Sequence, residues 1–165
     1  MIHIVLFEPE IPQNTGNIAR TCAVVGAQLH IVGPIPFDIS DKAARRAGLD
    51  YWKDVQVTYY HNIEEFYQRH PDVEGWYFTT KAERNHVQVN YGPESWLIFG
   101  KESAGIPEEI LVQHRDHCVR IPMRENERSL NLSNSVAVGV YEVLRQQDFA
   151  GLEQQGQLHR MHWQE

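Results

Sequence analysis

Short runs of β-branched and aromatic residues alternate with stretches of helical periodicity along this chain, and that alternation limits its architecture more than any other feature. Residues 2–7, 28–33, 55–60, 75–79, 95–99 and 118–121 form the runs, each bounded by Gly, Pro, Asn or Asp, and they read as six strands. Helical patterns lie between them at residues 17–25, 40–47, 63–70, 107–114 and 134–147; in the first, Ile18, Cys22 and Val25 share one face. Strands separated by helices pair in parallel and are covered on both sides, so the expected class is α/β, a mainly parallel sheet with helices on both faces. Asn14 or Thr15 suits the cap of the first helix, Ser40 with Asp41 that of the second, and Pro107 followed by Glu108 and Glu109 the first turn of another.

With 165 residues, 42% of them hydrophobic, the chain can bury a core of its own, and residues 1–165 are read as one domain. Residues 148–165, rich in Gln, Gly and His, read as a loosely attached tail that Trp163 could pin down. The opening apolar run is too short for a secretion signal, and nowhere do ~18 apolar residues follow one another, so a cytoplasmic protein without membrane contact is expected. Cys22 and Cys118 each lie in an apolar stretch and read as buried thiols in a reducing compartment.

The formal net charge of -7 gives no bulk signal for nucleic-acid binding. Locally the picture differs: Lys42, Arg45 and Arg46 share one short segment, while Arg20, Lys81, Arg84, Arg124 and Arg128 sit in or beside polar loops. A basic patch and an ordinary solvated surface both account for this distribution.

Three polar stretches stand at strand ends or helix starts, where α/β proteins place ligand sites: Asn14-Thr15-Gly16-Asn17-Ile18-Ala19-Arg20, Phe99-Gly100-Lys101-Glu102-Ser103-Ala104-Gly105, and Arg128-Ser129-Leu130-Asn131-Leu132-Ser133-Asn134. In the first, Gly16 one turn before Arg20 leaves the guanidinium unshielded, and an anion at that helix start is expected. In the third, four polar side chains surround Leu130 and Leu132, more than a plain helix cap requires. A Walker loop is excluded, because Ser95 holds the upstream glycine position and Glu102 the Ser/Thr position. The dinucleotide fingerprint fails too, since Glu8-Pro9-Glu10-Ile11-Pro12-Gln13 follows the first strand where a glycine turn is needed. His114 with His117, and His159 with His162, have metal-compatible spacing but no nearby further ligands, so no metal is expected.

In order and placement, these stretches resemble the three motifs of the SPOUT, or α/β-knot, methyltransferases. The likeness spans nearly the whole chain. Glu8 to Arg20, Ala47-Gly48-Leu49-Asp50-Tyr51, Thr79-Thr80-Lys81 and Arg128 to Asn134 are similar in particular to the minimal tRNA wobble-nucleotide 2′-O-methyltransferase branch, TrmL type. The resemblance implies a homodimer, S-adenosylmethionine as methyl donor, tRNA bound at its anticodon stem-loop, and a C-terminal trefoil knot, a rare exception to the rule against threaded chains. It places the cofactor against Phe78, Thr79, Gly100, Ile121, Ser129 and Leu130, with Gly100 permitting close approach. It assigns Asn14, Arg20, Glu102, Ser129 and Asn131 to the catalytic motifs.

Transfer to a ribose hydroxyl needs in-line positioning and relief of the hydroxyl proton. The family assigns Arg20 as activating base, yet an arginine guanidinium holds its proton under nearly all conditions. Binding of the adjacent phosphate and stabilisation of charge on the 2′-oxygen is the role we expect for it, with Asn14 and Asn131 orienting ribose and loop. Glu102 reads either as a catalytic residue or as an acceptor for loop N–H groups, and Tyr141 as dimer or core packing. Lys42, Arg45, Arg46, Arg124 and Arg128, with Tyr51 and Trp52, are the candidates for contacts to a single-stranded RNA loop. Rival readings are a knotted enzyme acting on rRNA or another tRNA position, and a non-catalytic RNA- or cofactor-binding knot protein.

Overall fold

Strand β1 (Ile2–Phe7) is buried at every position, the mark of a strand covered on both faces. In the computed structural model, which describes residues 1–39 and 50–164, β1 is followed by α1 (Pro12–Val25), β2 (Gln28–Val32), β3 (Val57–Tyr60), α2 (Ile63–Arg69), β4 (Gly75–Phe78), β5 (Ser95–Phe99), α3 (Glu108–Gln113), β6 (Cys118–Val119) and α4 (Leu132–Gln146). The six strands form one sheet in the order β3-β2-β1-β5-β4-β6, and every strand pairing is parallel.

Alternation along each strand divides the core. Ile2, Ile4 and Leu6 face the cluster built by Ile18 and Cys22 of α1 and Val136, Val140 and Val143 of α4. Val5 and Phe7 face the opposite cluster, which holds Phe66 of α2 and Leu111 of α3. Helices therefore cover both faces, as the strand-helix alternation requires.

The sheet order turns around between β1 and β5: from β1 the chain moves outward to β2 and β3, while β5, β4 and β6 lie on the other side. Loops leaving the carboxyl ends of β1 and β5 diverge there, and such a switch point is where open α/β sheets hold ligands.

Several expected boundaries move. Helix α1 starts at Pro12 rather than at residue 17, because proline suits the first helical position; Asn14 and Thr15 lie inside the helix and do not cap it. Ile11 holds the cap position without a side-chain cap bond. Helix α4 starts at Leu132, two residues before the expected 134, with Asn131 as its cap accepting from the N–H groups of Ser133 and Asn134. Pro107 is the cap position of α3, with Glu108 and Glu109 in the first turn. β6 has two residues, and the run continues only as an isolated bridge from Arg120 to Asn85. The helix expected at 40–47 with its Ser40 and Asp41 cap, the motif residues Ala47, Gly48 and Leu49, and the basic residues Lys42, Arg45 and Arg46 lie outside the described residues.

Cys22 and Cys118 are free and buried. At the C-terminus, Phe149 and Leu152 pack on the core, whereas residues 153–164 are exposed and irregular. Trp163 is 75% exposed, so it does not pin the tail. Among the described residues no helix is long and apolar enough to cross a membrane.

Candidate active site

The loop after β5 brings its own backbone into close approach. A Cβ on Gly100 would stand 2.0 Å from the Gly105 carbonyl carbon, and Gly105 itself has φ +70°. Glycine is needed at 100 by the turn's own backbone, rather than only to admit a ligand. The turn closes through the Gly105 N–H donating to the Lys101 carbonyl at 2.8 Å.

This turn is fastened to the start of α1. The Glu102 carboxylate accepts the N–H of Glu10 at 2.8 Å, the N–H of Ile11 at 3.0 Å and the Asn14 side-chain amide at 3.2 Å. A helix lacking a side-chain cap of its own thus has its entry held by a carboxylate from a residue about ninety positions away. In return Glu10 accepts the Ser103 N–H and hydroxyl, both at 2.9 Å, and these two bonds hold its carboxyl below the ordinary carboxylate range. Lys101 donates to Glu8 at 2.9 Å, a bond that raises the lysine. Glu8 has φ 51°, a left-handed conformation rare outside glycine, at the point where β1 gives way to the loop.

The third stretch joins through Asn14, whose oxygen accepts the Asn131 side-chain N–H at 2.9 Å. Asn131 Oδ1 in turn accepts the N–H of Ser133 at 3.0 Å and the Ser133 hydroxyl at 2.6 Å. Glu102, Asn14 and Asn131 form one hydrogen-bonded relay through all three polar stretches.

Between the stretches lies a cavity of about 850 Å³, within the ordinary range for small-molecule sites. Asn14, Glu102, Ser129 and Asn131 line it. So do Phe78, Thr79, Gly100, Ile121 and Leu130, together with Arg128. Phe78 stacks on Phe99 at 4.7 Å, and Gly139 of α4 makes room, since a Cβ there would stand 2.9 Å from the Phe78 ring. Leu130 presents an apolar side chain 39% exposed, beside a mouth rich in backbone and amide groups. An apolar wall facing polar loops fits an adenosyl group joined to an amino acid.

Two expected contributors are elsewhere. Arg20 is exposed and absent from the lining; its guanidinium stands 5.0 Å over the ring of Tyr51. Arg124 is exposed in the same late segment but outside the lining. Trp52 is no free stacking platform, because it packs against the main core and its indole N–H is buried without a partner. Tyr141 is 47% exposed, so it is not core packing within one chain.

Sequence reading missed the reciprocal bonds of Glu8, Glu10, Lys101 and Ser103; the visible signal was a pair of glutamates flanking Pro9 just before a polar loop. It also missed a second cleft of about 820 Å³, floored by Leu111 and Cys118 and sharing Thr79 and Lys81 with the first. Two of its cations pair with acids, Lys81 with Glu108 at 3.2 Å and Arg115 with Glu83 at 2.8 Å, while Arg84 donates to the Asp116 carbonyl at 3.2 Å. Among the described residues no group of three or more His, Cys, Asp or Glu is placed to share a metal ion. His114 instead stacks on Tyr77 at 4.5 Å, and His117 on Trp76 at 4.9 Å.

The profile of the SpoU rRNA methylase family matches residues 1–141. The chain is 47% identical over 152 residues to the tRNA (cytidine(34)-2'-O)-methyltransferase of Saccharophagus degradans, covering 92% of this chain and 99% of that protein. A solved structure concerned with the 2-OH methylation of C/U34 on tRNA superposes with a TM-score of 0.84 at 38% identity, covering 90% of this chain and 97% of the other. The SpoU methyltransferase AviRb of Streptomyces viridochromogenes, solved with AdoMet, shares the fold at a TM-score of 0.75 and 21% identity, covering 90% of this chain and 61% of that one. With matches of this extent, the chain belongs to the SpoU methylase family and is a methyltransferase.

Proposed function

We propose that this protein is an S-adenosylmethionine-dependent tRNA 2′-O-methyltransferase acting on the ribose of the wobble nucleotide, cytidine or modified uridine 34, in the cytoplasm and as a homodimer. The observation that carries the reading is the relay from Glu102 through Asn14 to Asn131, which joins three distant polar stretches around one cavity. The 47% identity, over nearly the full length, to an enzyme named for position 34 supports this substrate over rRNA or another tRNA position.

When bound, the cofactor supplies an electrophilic sulfonium methyl. Phe78, Ile121 and Leu130 offer its adenosyl part apolar cover, and the 100–105 turn borders the opening. Asn14 and Asn131 fix each other, so the amide edges that meet the ribose are preorganised. Ser129 and Arg128 stand at the same mouth, the first to bond the ribose, the second to hold a phosphate. Arg20 does not line the cavity of its own chain, and a second copy is the arrangement in which it reaches a substrate. Helices α1 and α4 leave Val24, Val138 and Tyr141 58%, 39% and 47% exposed, an apolar surface suited to such a contact. The C-terminal knot belongs to the same reading: Ile121, Met123 and residues 128–132 line the cavity beside the 99–105 loop before α4 packs back on the face that carries α1.

The test is mass spectrometry of nucleosides from tRNA incubated with the protein and labelled S-adenosylmethionine, with the modified nucleotide mapped. Label in the 2′-O-methyl group of nucleotide 34 is the expected result; label elsewhere, or none, overturns the assignment.

A further inference from the structure

Glu10 does not line the cavity, yet its carboxylate takes two hydrogen bonds from Ser103, which does. Glu102, one residue earlier, takes the N–H of Glu10 itself. The two loops therefore exchange carboxylates for N–H groups in both directions, a capping box closed across about ninety residues of sequence. Lys101 and Gly105 bond to each other at the base of the turn, and its tip is held to the first loop by Glu102 and Ser103.

We propose that Glu10 is a positioning residue of the methyl-donor site: by holding Ser103 while Glu102 holds the entry to α1, it sets the 100–105 turn in the shape that borders the cofactor. This rests on reading the cavity as that site. A charge-assisted acceptor carries the clasp better than a neutral one. The bonds from Ser103 keep Glu10 charged below the ordinary carboxylate range, so the clasp persists through mildly acid pH. The effect should appear in cofactor affinity, because the turn borders the cofactor, while Asn14 and Asn131 keep their mutual bond.

Glu10→Ala, Glu10→Gln, Ser103→Ala and the double variant Glu10→Ala/Ser103→Ala decide it, each assayed as full-length protein for S-adenosylmethionine Kd by calorimetry, kcat on tRNA, Tm and amide exchange. Glu10→Ala should weaken cofactor binding about tenfold, with kcat within about threefold, and Tm near wild type. Glu10→Gln, still able to accept the Ser103 N–H, should recover most of the affinity. Ser103→Ala should cost about twofold and add nothing to Glu10→Ala, as expected for partners in one interaction. Unchanged Kd in Glu10→Ala, failure of glutamine to recover it, or independent effects of the two substitutions would overturn the proposal. Exchange of the Ser103 amide separates this from the functional reading: it should accelerate in Glu10→Ala without any cofactor present, and an unaltered rate refutes the clasp even in a protein that binds the cofactor. If wild type binds no S-adenosylmethionine, the site assignment falls, and with it the proposed role.

Discussion

Among the described residues, two hydrogen-bonded polar chains invite comparison, because they differ in where they end. The relay Glu102–Asn14–Asn131 joins loops at the carboxyl ends of the strands and finishes at exposed Asn131 beside a cavity. The other lies on the sheet face toward α2: His3 bonds His30 at 3.0 Å, His30 bonds the Tyr60 hydroxyl at 2.8 Å, and Tyr60 bonds His70 at 2.8 Å. Trp96 stacks on His3 at 3.9 Å, and Glu94 meets the outer His3 nitrogen at 3.4 Å, so His3 at this end is occupied by its own neighbours. Both satisfy buried polar groups, as burial demands. All three members of the first line the cavity, which is what a reaction site needs; the second spends its polar groups on each other and holds strands together. Substitution in the first should alter activity with little loss of stability, and in the second the reverse.

The sharpest break of that contrast is at Arg20. Arg20→Ala should cut methyl transfer by about 10³-fold or more, as for loss of a group that meets developing charge, and leave cofactor affinity within a few-fold. Unchanged turnover removes Arg20 from the mechanism. Mixing Arg20→Ala with Asn131→Ala protein should restore about a quarter of the sites, because in a mixed dimer one cavity is intact and receives the other copy's arginine; no recovery after subunit exchange contradicts the dimeric arrangement.

The histidine chain gives the converse effect. His30→Ala strands the Tyr60 hydroxyl and His3, and should cost about 2–4 kcal/mol by denaturant unfolding while kcat at permissive temperature stays near wild type. Burial lowers His30 to about 3, with His3 and His70 shifted the same way, mainly by desolvation and against the pull of Glu94 on His3. The unfolded chain protonates these rings from about pH 6.5 downward, whereas folded His30 resists until about 3. Stability is therefore fully present above about 6.5 and is lost as pH falls, by about 2 kcal/mol at pH 5 from His30 alone. A Tm flat between pH 7 and 5 contradicts this account.

Smaller effects sharpen the picture at the surface. Val24→Glu or Tyr141→Arg should shift sedimentation toward monomer and lower tRNA turnover with Tm reduced only modestly; an unchanged assembly state places the interface elsewhere. Glu83→Ala breaks an ion pair with both partners 75% exposed, and should move stability by less than about 0.5 kcal/mol.

Much of this was legible in the residues. Strand-helix alternation fixed the class, because parallel strands need crossovers, and the three polar stretches named most of the cavity wall, because helix starts and strand ends repeat a limited chemistry. The start of α1 was not legible: polarity at Asn14 and Thr15 looked like capping, while the actual cap, Glu102, comes from another loop and only the fold brings it near. The same holds for Glu10 and Ser103. His3 and His30 sit in apolar strand runs where alternation marks them as inward-facing, but their pairing depends on the register that sets His3 against Gln28 and Val5 against His30. Arg20 lies on the expected helix but outside the cavity lining of its own chain, since periodicity alone does not say which polar residues face a cavity.

In the proposed function, distant segments of the chain close around one methyl donor. Hydrogen–deuterium exchange with and without S-adenosylmethionine tests it most directly. Protection should rise together in residues 78–81, 99–105 and 121–132 and stay unchanged at 108–116, beside the second cleft. Protection confined to a single segment, or centred on 108–116, would contradict the shared site.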